Sequence, residues 1–359
     1  MTQGTLAMKL TLAKILLIGF GTCYSIQSLA WDCQSPFFFK KSNPISSVYL
    51  QPQDELVGVA YNFENLFLHR GKHERISDTL FKLIEGSGPE PKDINELKEQ
   101  VEIIRELSPH FIIGSEIEDL ETLEQFNREF LADQYRVVLV EGNDGRGIDI
   151  GFLIRKDLEH DLEVRTHKHI TWTDPVTNRI GPIHSRDFPV VILRPTPHEA
   201  PELILAGMHA KSKRDRKQDP ESNRLRGKQF SHAAEVIENL QSEFGQDTRI
   251  AVGGDFNTDV RSDQSLNPFK KVARDVFNMA KKTIDILKRI THTYHPNKKP
   301  TVRAQLDTFF ISGNFTSIIE AGIYRYKDAQ GNEKPLPDTY DQRAQNPSDH
   351  FPIYFIANP

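Results

Sequence analysis

The spacing of its apolar residues most constrains what this chain can fold into. Val57–Tyr61, Phe111–Ile113, Tyr135–Glu141, Asp149–Arg155, Val190–Arg194, Leu203–Met208, Ile250–Gly254, Leu306–Ser312, Ile318–Tyr324 and Phe351–Ile356 are short and rich in branched and aromatic residues. Runs of this length, bounded by turn formers, read as strands, and unbroken apolar ones read as strands buried on both faces. Only two stretches carry a sustained helical period. Ile94–Leu107 sets Leu97, Val101, Ile104 and Leu107 on one face, with Asp93 as N-cap, Glu96 in capping-box position and Pro109 blocking continuation. Ser222–Leu240 does the same with Ala233, Ala234, Ile237 and Leu240. Two helices are too few to cover a doubly wound sheet of about ten strands. The pattern predicts an α/β fold of two stacked mixed β-sheets flanked by helices.

No shift in composition divides residues 55–359, so one domain is expected there. The polar stretches Gly71–Lys92, Thr166–Ser185 and Lys327–Pro347 read as surface insertions. Residues 1–30 differ in kind. Lys9 and Lys14 precede the apolar run Ile15–Phe20, and the segment ends in Ser28-Leu29-Ala30, the three-part pattern of a secretory signal peptide. Residues 31–54 read as a leader. Removal of the signal leaves Cys33 as the lone thiol, so no internal disulfide is expected. The expected product is exported, periplasmic or secreted, monomeric and without a stable membrane anchor. No later segment approaches the roughly 20 apolar residues of a spanning helix. A net charge of −5 excludes a global basic field. Polyanion binding then falls to local patches, of which Lys211, Lys213, Arg214, Arg216 and Lys217 form the densest.

Several polar residues sit where strands end. Asn62 and Glu116 close apolar strands, and a carboxylate there can hold a hard cation or simply face water. Gly253-Gly254-Asp255-Phe256-Asn257 places two glycines, suited to a close backbone approach, before an acid and an amide on one side of an extended segment. Asp255 can align or deprotonate water and Asn257 can position it. Asp307 opens the strand Leu306–Ser312, where it either faces solvent or orients a ligand. In Ser348-Asp349-His350 adjacent strand residues point to opposite faces, so Asp307 is the better partner for the His350 imidazole. His209 ends the strand before the basic loop and reads as a surface residue or a second imidazole of a site. Glu118 and Asp119 read as an acidic loop.

The ordered set Asn62, Glu116, His209, Asp255 with Asn257, Asp307 and Asp349-His350 resembles the endonuclease/exonuclease/phosphatase superfamily. The resemblance spans roughly Leu56–Ile356 and implies a four-layer α/β sandwich with the site at one end of both sheets. It implies Mg²⁺ or Mn²⁺ held chiefly by Glu116, with Asn62 and Asp349 nearby. Asp255 and Asn257 would align water, while His350, backed by Asp307, and His209 would contact the phosphate. Asp149, in Arg146-Gly147-Ile148-Asp149, would be structural, and Arg186 and Arg224 match less specific substrate-binding positions. Met208 stands where many relatives have Asn. The Asn62–Phe67 opening and the His209-Ala210-Lys211-Ser212-Lys213 loop look most like secreted bacterial nucleases. DNA or RNA is therefore the expected substrate, bound partly through Lys211 and Lys213. A phospholipid or sphingomyelin phosphodiesterase is the alternative, and it would show an exposed apolar hairpin.

Overall fold

Pairing the apolar runs by their side-chain parity yields two sheets. The computed structural model describes residues 55–68, 71–77, 80–85, 90–213, 217–296, 299–315 and 317–358. The expected signal peptide and leader, and Arg214 and Arg216 of the basic loop, lie outside these. One six-stranded sheet holds β1 (Leu56–Leu66), β2 (Phe111–Ile117), β3 (Tyr135–Leu139), β4 (Asp149–Arg155), β11 (Ile318–Ile323) and β12 (Ile353–Ala357) in the order β11-β12-β1-β2-β4-β3. The other holds β5 (Asp161–Arg165), β6 (Val190–Arg194), β7 (Leu203–His209), β8 (Ile250–Asp255), β9 (Arg274–Asp275) and β10 (Asp307–Ser312) in the order β9-β10-β8-β7-β6-β5. Each is mixed in the same way. One parallel pair, β1 with β2 and β7 with β8, lies at the centre, and the remaining neighbours are antiparallel.

Alternation then builds four layers. Ala60, Phe111, Ile113, Phe152, Leu205, Ala251, Phe309 and Phe355 point inward and form the core between the sheets. Val59, Tyr61, Ile112 and Leu153 point outward under α1 (Ile94–Leu107) and α2 (Leu120–Phe130). Ile204, Ala206, Val252 and Phe310 face Phe230, Ala233 and Ile237 of α3 (Asn223–Phe244). The expected four-layer sandwich is the observed one. Both faces of the central strands are buried, which is why they read as unbroken apolar runs.

The two glycines of β8 serve the packing in different ways. A Cβ on Gly253 would lie 2.4 Å from the Phe309 ring in the inter-sheet core. Gly254 has φ +135°, and a Cβ there would stand 2.0 Å from the Met208 carbonyl oxygen. The strand must therefore pass close to β7 just before it presents Asp255.

Helix α1 has the bounds read from its sequence, although the Asp93 carboxylate caps Asn95 N rather than the third amide. The expectation of an acidic loop at Glu118-Asp119 is corrected. Asp119 caps α2 by accepting from Thr122 N at 2.7 Å, and Glu118 is buried with Thr122 Oγ1 at 2.8 Å. Two of the insertions contain hairpins, Gly71–Ser77 with Leu80–Glu85 and Thr171–Thr173 with Ile180–Pro182. Among the described residues no helix is long and apolar enough to cross a membrane.

Candidate active site

Three strands of the second sheet bring their polar residues to one level. In the register of β7, β8 and β10, His209 pairs with Asp255 and Asp255 pairs with Asp307. Residues directly opposite on neighbouring strands share a face, so an imidazole and two carboxylates stand side by side at the sheet's end. All three are buried. Charges in such a place are tolerable only with partners, and the surrounding loops supply them.

Asp255 is the centre. Its carboxylate accepts from Asn257 N at 2.7 Å and from Asn257 Nδ2 at 2.8 Å. The expected shared side of an extended segment is not how this arises. β8 stops at Asp255, and Asn257, with φ +51°, turns left-handed so that its amide folds back. That amide also donates to the Ala210 carbonyl at 3.0 Å, which fixes its orientation. Asn62 Nδ2, from the other sheet, reaches Asp255 Oδ2 at 3.5 Å. Burial raises the Asp255 pKa to about 7, with the nearby His350 charge opposing that rise.

Glu116 arrives by a backbone irregularity. The β2–β4 register shifts between Ser115 and Ile117, making Glu116 the extra residue of a bulge with φ +62°. Such bulges re-aim a side chain, and a left-handed non-glycine residue costs about 1–3 kcal/mol. The strain points the carboxylate at the site, 3.8 Å from His209 Nε2. The same nitrogen is 3.6 Å from Asp255 Oδ2. Burial, with Arg186 and Arg146 nearby, pushes the His209 pKa well below the usual imidazole value. The ring is therefore neutral at pH 7, and its buried Nδ1 has no partner among the described residues.

This set suits a hard cation. Among the described residues, the Glu116 carboxylate has only that neutral imidazole within ion-pair reach. Asn62 Oδ1 accepts one hydrogen bond, from Glu64 N at 2.9 Å, and keeps a lone pair. Carboxylate and amide oxygens on adjacent strand tips are donors that a hard divalent cation takes, and Asp255, Asp307 and His350 also bring ligand atoms within 4.8 Å of one another.

His350 enters from the loop before β12. Its Nδ1 lies 2.7 Å from Asp307 Oδ2, so Asp307 is its partner as expected, although Ser348–His350 form a loop and not the strand from which parity was argued. Its Nε2 faces Asp349 Oδ1 at 3.8 Å and Asp255 Oδ2 at 3.9 Å. Burial opposes a charge here, but Asp307, Asp349 and Asp255 outweigh it and hold the imidazole pKa well above its ordinary value. The loop is pinned at both ends. Ser348 Oγ donates to the Asn62 carbonyl at 2.7 Å, and Tyr326 Oη donates to the His350 carbonyl. Asp349 contacts His292 at 3.5 Å and Arg343 at 3.4 Å, and Arg343 also pairs with Glu64.

Two of the expected substrate-binding arginines are engaged within the fold. Arg186 is fully buried, ion-paired to Asp144 at 2.7 Å and donating to the Ala210 carbonyl at 3.1 Å. It braces the His209 and Asn257 loops. Arg224 forms a two-point pair with Asp174 of the Thr171–Pro182 hairpin, at 2.8 and 3.0 Å. Lys213 is exposed and 3.5 Å from Glu221, while the half-buried Lys211 acts electrostatically on Asp144 and His209. Asp149 is structural, accepting from Gly142 N at 2.7 Å. Sequence reading missed His292, Arg343 and the exposed Arg146, whose signals are single residues in polar loops.

No protein-family model and no curated protein matches the chain. Solved structures do. Truncated TDP2 of Caenorhabditis elegans is similar at 14% identity over 84% of this chain and 97% of that one, with a TM-score of 0.55. An endonuclease/exonuclease/phosphatase family protein of Bacteroides thetaiotaomicron is similar at 14% identity over 85% and 98%, with a TM-score of 0.52. The mannosyl-6-phosphatase Bt3783 of the same organism is similar at 14% identity over 84% and 98%, with a TM-score of 0.50. The chain has the fold of the endonuclease/exonuclease/phosphatase superfamily.

Proposed function

We propose that this chain is an exported, divalent-cation-dependent phosphodiesterase that hydrolyses nucleic-acid phosphodiester bonds. One observation carries the reading: the buried Asp255 carboxylate sits between the oxygen donors Glu116 and Asn62 and the Asp307–His350 pair. A carboxylate held in this position can align water or accept its proton. Asn257 holds that carboxylate from two sides and so sets the direction of attack. His350, kept protonated by three carboxylates, donates to a non-bridging phosphate oxygen or to the departing one. His209 is neutral and contributes a hydrogen bond rather than charge. Glu116 and Asn62, with Asp349 nearby, would hold a Mg²⁺ or Mn²⁺ ion, which would neutralise phosphate charge as a Lewis acid.

Nucleic acid is favoured because this acidic protein sets the cations Arg146 and Lys211 close enough to act on His209 of the site. Backbone phosphates are bound through such sequence-independent contacts. A second reading, a phospholipid phosphodiesterase, is favoured by one feature. The Thr171–Pro182 hairpin exposes Val176 at 57% and Ile180 at 75%, apolar side chains of the kind that enter a membrane interface. A zymogram with DNA and RNA, with and without chelator, decides the first reading. Cleavage that stops in chelator is expected, and cleavage unaffected by chelator sinks the metal role. Release of phosphocholine from liposomes without cleavage of either nucleic acid replaces the first reading with the second.

A further inference from the structure

We propose that the chain carries a second cation site of different chemistry, built from His292, Asp349 and His350. It would take a late first-row ion such as Zn²⁺, whose binding shuts the hydrolytic site. Ligand atoms of these three residues lie within 4.8 Å of one another. Asp349 bridges the set, with Oδ2 at 3.5 Å from His292 Nε2 and Oδ1 at 3.8 Å from His350 Nε2. Donors around a tetrahedral Zn²⁺ at about 2.0–2.2 Å stand roughly 3.3–3.6 Å apart, so a set spread over as much as 4.8 Å closes by up to about 1 Å as the ion binds.

Two features prepare these residues as ligands. His292 and His350 are joined by an antiparallel backbone bridge, and their rings lie 4.6 Å apart, so the two imidazoles are held together before any ion arrives. Asp307 accepts from His350 Nδ1 at 2.7 Å, leaving Nε2 as the outward donor. A carboxylate behind a ligating imidazole is the usual support of a zinc-bound histidine. Entry is open, since the His292 and Asp349 side chains are 16% and 27% exposed. Arg343, 3.4 Å from Asp349 Oδ2, keeps Glu64 as its other partner when the ion arrives.

The chemistry separates this site from the one at Glu116. Two imidazoles and one carboxylate select borderline ions, whereas Glu116 and Asn62 offer oxygens only. The two sites meet at His350. Zinc on its Nε2 removes the phosphate-facing donor, which gives inhibition in the presence of saturating Mg²⁺. The inhibitory half of the proposal rests on the hydrolytic reading above, and the binding half does not.

The test is calorimetric titration of the metal-free protein with Zn²⁺ in excess Mg²⁺, for the unaltered chain, His292→Ala and Glu116→Gln. The unaltered chain and Glu116→Gln are expected to bind one more zinc equivalent than His292→Ala, with a visible Co²⁺ absorption band that disappears in the same variant. His292→Gln replaces His292→Ala if the latter does not fold. Equal zinc uptake by all three, or displacement of that equivalent by Mg²⁺, overturns the site. Where hydrolysis is detected, zinc is expected to lower the rate of the unaltered chain at least about 10-fold relative to its own zinc-free rate, and that of His292→Ala less than about 2-fold. Equal inhibition of both overturns the regulatory role. A chain that binds the extra zinc but hydrolyses no phosphoester refutes the hydrolytic reading and leaves the site standing.

Discussion

Replacing Asp307 with Asn tests how the fold holds a charge at the site. Asp307 and His350 are 2% and 6% exposed, and their carboxylate and imidazole are 2.7 Å apart. At an effective dielectric of about 20 the attraction at that distance is roughly 6 kcal/mol. Desolvation of the two ions returns part of it, and removing one partner of a buried pair generally costs about 3–5 kcal/mol. Asn keeps the shape and one hydrogen bond, so about 3 kcal/mol is expected. The sign of the pH dependence follows from the raised His350 pKa. An imidazolium stabilised in the folded state contributes fully below the unfolded value near 6.5, and that contribution fades as pH rises through the folded value. Denaturant unfolding of Asp307→Asn should therefore show its largest loss near pH 6 and a smaller one at pH 9. The kcat should fall about 10²–10⁴-fold, since the imidazole loses the carboxylate that most favours its protonated form and fixes its tautomer. A loss below about 1 kcal/mol that is flat with pH, together with kcat within about 3-fold of the unaltered chain, refutes the reasoning.

Glu116→Gly removes the left-handed strain, so unfolding should show a gain of about 1 kcal/mol while phosphodiester cleavage falls at least ~10²-fold. Gly253→Ala forces a methyl within 2.4 Å of the Phe309 ring, and thermal unfolding should report a loss of about 1–3 kcal/mol. Asp144→Ala leaves the buried Arg186 guanidinium without its carboxylate, and denaturant titration should show about 3–5 kcal/mol of destabilisation.

The layers were legible because burial on both faces leaves a direct mark on composition. Strands such as β4 and β6 have the bounds that their apolar runs give. Helix α2 was hidden by its own cap. Glu118 and Asp119 read as a solvated pair, although Leu120, Leu123 and Phe126 carried a helical period just beyond them. The ordered polar residues at the strand ends were readable one by one, and Asp307 was matched to His350 on a strand parity that the loop at 348–350 does not have. What the sequence could not carry is tertiary. Nothing local says that Glu116 turns left-handed, that Arg186 is buried behind the site, or that His292 bridges to His350 across 58 positions of chain. Such facts depend on which loop closes over which strand tip.

In the proposed mechanism Asp255 and the His350 imidazole work together on a phosphodiester bound beside Glu116. Single-turnover cleavage of a short DNA duplex in Mg²⁺ measures this most directly, comparing the unaltered chain with Asp255→Asn, His350→Ala and the double variant. Each single change should lower the rate at least ~10²-fold, and the double variant should lose little more than the worse single one, because the two groups serve one step. A single variant with near-unaltered rate, or losses that simply multiply, contradicts the claim.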